Sequence, residues 1–268
     1  MKKIFVLLCA ATSISLAACS NTQPKQQKTS QMDDKVLTAY VWHLNKVFQP
    51  TKGKVDKEKL TDITPAHILP FDLVFADNRL SVQGLCNQLS ASYTLDGHHI
   101  DVHPMMGTKM MCDNESLMKT ENFVGQVMPE ASQWAVRGLN NQASNKSERL
   151  LNLSFDDGML WQFIGTPTPE TKYGQVGVTA FLEVDPSGQP CADHSPHCLR
   201  VRSLEYNEQG IRTKVGPWQI IDRDQLQGFE LEPNVQSIIR VKRFMEKVGS
   251  GQHRAIYIYD MTVESKQL

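Results

Sequence analysis

The run Leu16-Ala17-Ala18-Cys19, after a Lys2-Lys3 start and an apolar stretch from Ile4 to Leu16, decides which part of this chain is available to fold. Small residues before a thiol allow cleavage between Ala18 and Cys19, after which Cys19 carries a diacylglyceryl group and an acylated amine, with palmitate as a typical acyl chain. The apolar stretch is shorter than the roughly 20 residues of a membrane span, and Thr12, Ser13 and Ser15 interrupt it. Residues 1–18 are therefore expected to leave as a lipoprotein signal peptide. Residues 19–35, polar and nearly devoid of large apolar side chains, are expected to form a lipidated flexible tether. Ser20 stands where an Asp would mark retention at the inner membrane, so the expected address is the outer membrane, lipid-anchored on its periplasmic face.

That compartment is oxidising, and it sorts the six cysteines. Cys9 departs with the leader and Cys19 is lipidated. Cys86, Cys112, Cys191 and Cys198 remain, an even set that argues for two disulfides. Four cysteines allow three connectivities; proximity along the chain favours Cys86–Cys112 and Cys191–Cys198. The formal charge of −1 falls to about −3 once Lys2 and Lys3 are removed, and acidic and basic residues are mixed along the chain. Such a surface offers nothing to steer the protein toward nucleic acid.

Period-two patterning dominates the remainder. Strands are expected over Ala39–Lys46, Ile68–Phe75, Leu80–Gly84, Ala91–Leu95, His99–His103, Gln133–Val136, Leu150–Phe155 and Met159–Phe163. Turns are expected at Asp77-Asn78, Asp96-Gly97 and Asp156-Asp157-Gly158, where these residues tolerate left-handed backbone. Thr51–Pro65 and Asn140–Glu148 are polar and loop-like. Asn114–Val127 differs, with Leu117, Met118, Phe123 and Val127 spaced for one helical face. Thr166-Pro167-Thr168-Pro169 is expected to end the strand ladder and mark a linker over 166–175. Beyond it, Val176–Val184, Cys198–Tyr206, Trp218–Ile221, Gln227–Glu232, Ser237–Phe244 and Ala255–Val263 read as further strands. In the last, the Tyr257, Tyr259, Met261 and Val263 face is expected to be the packed one. The fold class is α+β and predominantly β, with two compact strand-rich domains.

The stretch from Ser81 through Gly84, Cys86-Asn87 and Tyr93-Thr94-Leu95-Asp96-Gly97, followed by Thr108-Lys109-Met110-Met111-Cys112 and Glu121, resembles the META domain of HslJ-like heat-shock proteins. Trp42 and the Leu153–Phe163 hairpin extend the resemblance over residues 36–165. Lys109 stands where the family has Arg, Met111 where it has Ala, and Ala91 where it has Gly. Lys109 keeps the charge but lacks the planar fork of donors. Cys191, Cys198-Leu199-Arg200-Val201, Trp218, Ile221, Gly228-Phe229-Glu230 and Arg240-Val241-Lys242 look like a small uncharacterised domain, residues 176–268, that often follows META domains in envelope lipoproteins. The resemblance implies a strand-rich META fold with one packed helix. It also implies links to heat shock, stress response, drug resistance and parasite virulence, with no common chemistry.

Asn87, Thr108, Lys109 and Glu121 form the candidate polar binding surface, in which Asn87 has an alternative structural reading beside the expected disulfide and a Lys109–Glu121 pair is possible. Met110 and Met111 read as core filler. His99, His103 and Asp101, and the Cys191–Cys198 segment with His194 and His197, are considered as metal ligands and set aside, the second in favour of a disulfide. No nucleophile elbow, His-Glu-x-x-His helix or phosphate loop occurs. Asp156 with Asp157 suits a turn, and Glu230 with Glu232 a solvated strand face. The expectation is a non-enzymatic cell-envelope lipoprotein with a binding or stress-tolerance role and no catalytic residues, metal or cofactor. Its partners would be the membrane, through the lipid, and an envelope protein or cell-wall component. The alternative is a periplasmic enzyme acting on peptidoglycan or peptides.

Overall fold

Alternating apolar residues give most strands of the first region one inward face, and the strands close on themselves to bury it. The computed structural model describes residues 35–50, 60–63, 68–138, 149–189, 198–249 and 251–268. Strands β1 (Tyr40–Pro50), β2 (Leu60–Asp62), β3 (Asp72–Ala76), β4 (Arg79–Gln83), β5 (Leu89–Asp96), β6 (His99–Val102), β7 (Met106–Gly107), β8 (Ala131–Gly138), β9 (Arg149–Phe155) and β10 (Leu160–Pro167) share one sheet. Its order is β10-β9-β8-β6-β5-β4-β3-β1-β2, with β7 paired to β5. Because β10 also pairs with β1, over Tyr40↔Pro167 to Phe48↔Leu160, the sheet is a barrel. Closure removes the unpaired edges that an open sheet exposes.

The interior is filled by Trp42, Leu73, Phe75, Leu80, Val82, Tyr93, Ile100, Leu151, Leu153, Trp161 and Phe163, all buried. Each such side chain contributes about 1.5–3 kcal/mol by leaving water. Phe71 meets Trp161 and Phe163 edge-on at centroid distances of 5.8 and 5.9 Å. Trp42 donates its indole N–H to the Leu37 carbonyl at 2.9 Å.

The helix Glu115–Val127 follows β7 and packs onto this core. Asn114 caps it by accepting from the amides of Ser116 and Leu117 at 3.0 and 3.1 Å. Its inward stripe is Leu117, Thr120, Val124 and Val127, with Phe123 stacked on Trp161 at 5.7 Å. Met118, expected on that face, is exposed instead. It sits two positions before Thr120, which turns it about 200° around the helix from the buried side. The Thr120 hydroxyl accepts from Leu69 N at 3.1 Å and donates to Ser116 O at 3.0 Å.

Tertiary pairing moves several expected boundaries. Asp77 and Asn78 do take left-handed dihedrals, φ 50° and 57°. The β5–β6 turn lies one residue later than expected: Asp96 pairs with His99, leaving Gly97 (φ 60°) and His98 as the loop. A glycine at the first central position alone suits a type II′ turn. A short strand, β2, interrupts the polar stretch after β1 through the pairs Phe48↔Asp62 and Pro50↔Leu60. Thr166 and Pro167 do not end the ladder as expected. They continue β10 opposite Val41 and Tyr40, with proline tolerated at the final position where no further amide is needed. Thr168 then caps a short helix, Pro169–Tyr173, by accepting from Thr171 N at 3.3 Å.

The second, structurally distinct region is a seven-stranded sheet of β11 (Val178–Gln189), β12 (Cys198–Tyr206), β13 (Arg212–Val215), β14 (Gln219–Asp222), β15 (Leu226–Gln227), β16 (Val235–Val248) and β17 (Gln252–Gln267). The order is β13-β12-β11-β16-β17-β15, with β14 paired to β12. Its core is Leu182, Val184, Leu199, Val201, Ile221, Leu226, Ile239 and Val241, separate from the barrel's. Strand β13 was not expected, and residues 228–232 are not strand, because Gly228 turns the chain at φ 79°. In β17, Tyr257 and Tyr259 pack against the core, but Met261 and Val263 are exposed and Ile256, on the opposite face, is fully buried. A register shift between Arg240 and Val241 of the partner strand accompanies this exchange of faces.

Glu183, 4 % exposed, is the region's one buried charged residue among those described. It accepts from Arg202 Nε and Nη2 at 2.7 and 2.9 Å and from Gln236 Nε2. Trp218 lies against both Arg200 and Arg202, each guanidinium 4.5 Å from its ring centre. The expected leader, Cys19, nearly all of the tether, the 140–148 loop and Cys191 lie outside the described residues. No helix among the described residues is long and apolar enough to cross a membrane.

Candidate functional site

The residues singled out as a polar surface are brought together by a strap, residues 106–112, that runs antiparallel to residues 86–90. Met106 pairs with Ser90 and Gly107 with Leu89. Thr108 N donates to Gln88 O at 3.3 Å. The Cys86–Cys112 disulfide joins the two segments just before the helix cap. A Cβ at Gly107 would stand 2.7 Å from Leu89 Cδ2, so a larger residue there would require the Leu89 side chain to shift.

Asn87 is the hub. Its Oδ1 accepts from Thr108 Oγ1 at 2.9 Å and from Met110 N at 2.7 Å. Its Nδ2 and backbone N donate to Glu121 Oε1 and Oε2 at 3.0 and 2.7 Å. One amide thus ties the strap to the helix. Both Glu121 oxygens and both ends of the Asn87 amide are engaged, which is how half-buried polar groups avoid an unmet desolvation cost. Asn87, Thr108 and Glu121 thus direct these groups at one another and at the strap backbone.

Lys109 behaves otherwise. It is exposed, and no ion pair or hydrogen bond among the described residues joins it to Glu121. Met110 and Met111, expected in the core, are 69 % and 96 % exposed. The physical reason is the strap itself. Asn87 holds the Met110 amide and Cys112 is bonded to Cys86, so the intervening side chains are turned away from the barrel. Asn87, Leu89, Gly107, Thr108, Lys109, Met110, Met111 and Glu121 line one open depression of about 560 Å³.

A second constellation escaped the sequence reading. His43 on β1 bonds Asp72 on β3 through Nδ1 at 2.6 Å and Thr166 on β10 through Nε2 at 3.0 Å. The residues lie 29 and 123 positions apart, so no local spacing signals them. They form a ladder on the outer wall that links both neighbours of the strand that closes the barrel. His99 is exposed on β6 and His103 lies beyond its end. Among the described residues no group of three or more His, Cys, Asp or Glu is placed to hold a metal. Cys198 is disulfide-bonded, and its expected partner Cys191 lies outside the described residues.

No curated protein matches this chain. Two solved structures are similar. An NMR structure of a protein from Burkholderia xenovorans shares 15% identity, covers 60% of this chain and 99% of its own, and has a TM-score of 0.34. A second NMR structure shares 18% identity over 48% of this chain and 92% of its own, with a TM-score of 0.29. A family model describes the barrel, strap and helix together: residues 35–166 are a META domain.

Proposed function

We infer that this protein is a non-enzymatic, lipid-anchored component of the cell envelope whose META domain serves as a binding module. The observation that carries this reading is the division of labour in the strap. Asn87, Thr108 and Glu121 hold it from within, while Lys109, Met110 and Met111 are presented outward on a disulfide-fixed backbone. A rigid loop that displays a cation beside apolar thioethers suits recognition, since little conformational freedom is lost on contact. We assign the domain to the HslJ-like group with a stress-tolerance role, and residues 176–268 to the small domain that follows META domains in such lipoproteins. The proposed second disulfide is Cys191–Cys198, and the proposed partner is an envelope protein or cell-wall component.

The export sequence ending at Cys19 supports an outer-membrane, periplasm-facing address. Metabolic labelling with a fatty-acid analogue tests the anchor: wild type takes up label and Cys19→Ser does not. Equal labelling of the variant would show that the attachment site is wrong. Crosslinking from Lys109 in intact cells tests the binding surface. A discrete adduct that disappears with Lys109→Glu, while the melting temperature is unchanged, is the expected result; an adduct pattern identical to that from a probe on the opposite barrel wall would refute it.

A further inference from the structure

Two methionines of the strap, Met110 and Met111, depart from the expected core, and Met106 joins them in solvent. Met106, Met110 and Met111 are 67 %, 69 % and 96 % exposed within six residues of chain. Apolar side chains so concentrated and so far in solvent usually mark a contact surface. The chemistry of the depression narrows what that contact is.

Its oxygen donors face inward. Glu121 accepts two hydrogen bonds from Asn87, and the Thr108 hydroxyl donates to Asn87 Oδ1. The Cys86 and Cys112 sulfurs are bonded to each other. Lys109, an ammonium, has no lone pair to offer. What remains toward solvent is a set of neutral, polarisable thioether sulfurs. Thioethers are poor ligands for Mg, Ca or Mn and good ones for copper(I) and its redox-inert analogue silver(I). In an oxidising compartment thiols are consumed as disulfides, whereas thioethers keep soft-donor character.

The backbone supplies the required placement. Met110 and Met111 are adjacent and line the same depression. Met106 stands opposite Ser90 and the Met110 amide is bonded to Asn87. Four residues of extended strap put their backbones no more than about 13 Å apart. Two unbranched side chains, each with three rotatable bonds, can close that gap. The backbone between them is fixed by Asn87 and the disulfide, so only side-chain freedom is lost on binding.

We propose that the outer face of the strap is a binding site for a soft monovalent cation, copper(I) or silver(I), held by Met110 and Met111 with Met106 as a further ligand. This rests on the reading of the strap as a binding surface and gives that surface its ligand. The test is a silver(I) titration of the full chain, with methyl-13C methionine and no added reductant, so that the disulfide stays intact. The Met106, Met110 and Met111 methyl resonances are expected to shift together and saturate, while those of buried Met128 and Met159 stay in place. The Met110→Leu/Met111→Leu variant should lose at least ~10-fold in the silver affinity read at the Met106 methyl. Its thermal midpoint should not change, since both side chains are exposed, and zinc(II) should move none of these resonances. Unmoved Met110 and Met111 methyls in the presence of excess silver, or an unchanged affinity in the double variant, would overturn the proposal. Either result combined with a Lys109-dependent crosslink would leave the binding-surface reading standing without this ligand.

Discussion

Replacing Glu121 by Gln is the sharpest probe of the strap's latch. The carboxylate presents one oxygen to Asn87 N at 2.7 Å and the other to Asn87 Nδ2 at 3.0 Å. A glutamine keeps the shape but converts one of those acceptors into an NH2 group. Whichever way the amide is turned, that group faces a donor. One hydrogen bond is lost to a donor–donor contact and the other loses its charge assistance. Bonds to charged groups contribute about 1.5–3 kcal/mol and neutral ones about 1 kcal/mol. Glu121 is half-buried, so water relieves part of the conflict, and the expected net loss is about 2 kcal/mol. For a domain of this size that lowers the melting temperature by about 6–10 °C.

Thermal unfolding followed by tryptophan fluorescence is a suitable assay. Trp42, Trp134 and Trp161 lie in the barrel, and Trp218→Phe removes the signal of the second sheet. Lys109→Met should cost less than ~0.5 kcal/mol, because Lys109 is exposed and unpaired with Glu121. The double variant should then be additive within about 0.5 kcal/mol. A coupling above ~1 kcal/mol between the two positions, or a Glu121→Gln protein as stable as wild type, would falsify the latch.

Opening the Cys86–Cys112 bond with a double Ser substitution frees a loop of sequence separation 26, and the chain-entropy relation gives a loss of about 3.5 kcal/mol; chemical denaturation under non-reducing conditions measures it, and a loss below ~1 kcal/mol would count against the strap being held covalently. Arg202→Ala leaves the Glu183 carboxylate, 4 % exposed, with the hydrogen bond from Gln236. The hydrogen bond to Glu183 holds the Arg202 guanidinium above its usual range, so it is charged in the native pair, and its removal should cost about 3 kcal/mol at neutral pH; circular dichroism melts check it, and a loss below ~1 kcal/mol would contradict the pair's role. Trp42→Phe removes a buried donor and strands the Leu37 carbonyl, for an expected loss of about 2 kcal/mol, and a change under 0.5 kcal/mol in denaturant titration would contradict the bond.

Much of the fold is legible in the sequence, and the reasons are local. Period-two runs flanked by Asp-Asn, Asp-Gly and Asp-Asp-Gly placed most strands, because the inward face of each must be apolar whatever its neighbours are. Apolar spacing placed the helix over Asn114–Val127, and it forms over Glu115–Val127 with Asn114 as its cap. The proximity of Cys86 and Cys112 also anticipated the bond that forms. Less legible were strands made by their partners. Strand β2 exists because β1 is long enough to pair with it, and Thr166-Pro167 remain strand because β1 lies alongside.

The sequence by itself determined a strand-rich chain, the identity of the META domain's motif and the residue types available at its strap. Only tertiary structure decided their roles. Asn87, Thr108, Lys109 and Glu121 look equivalent as polar residues in one motif, yet three bond inward and one faces solvent. Met110 and Met111 carry an apolar composition that argues for the core, and they are outside it because the Met110 amide and Cys112 are both tethered to the neighbouring segment. Hydrophobicity sets a preference of a few kcal/mol for each side chain. Backbone bonds and a disulfide fixed by distant residues set its direction, and barrel closure, which joins residues more than 100 positions apart, has no local signature.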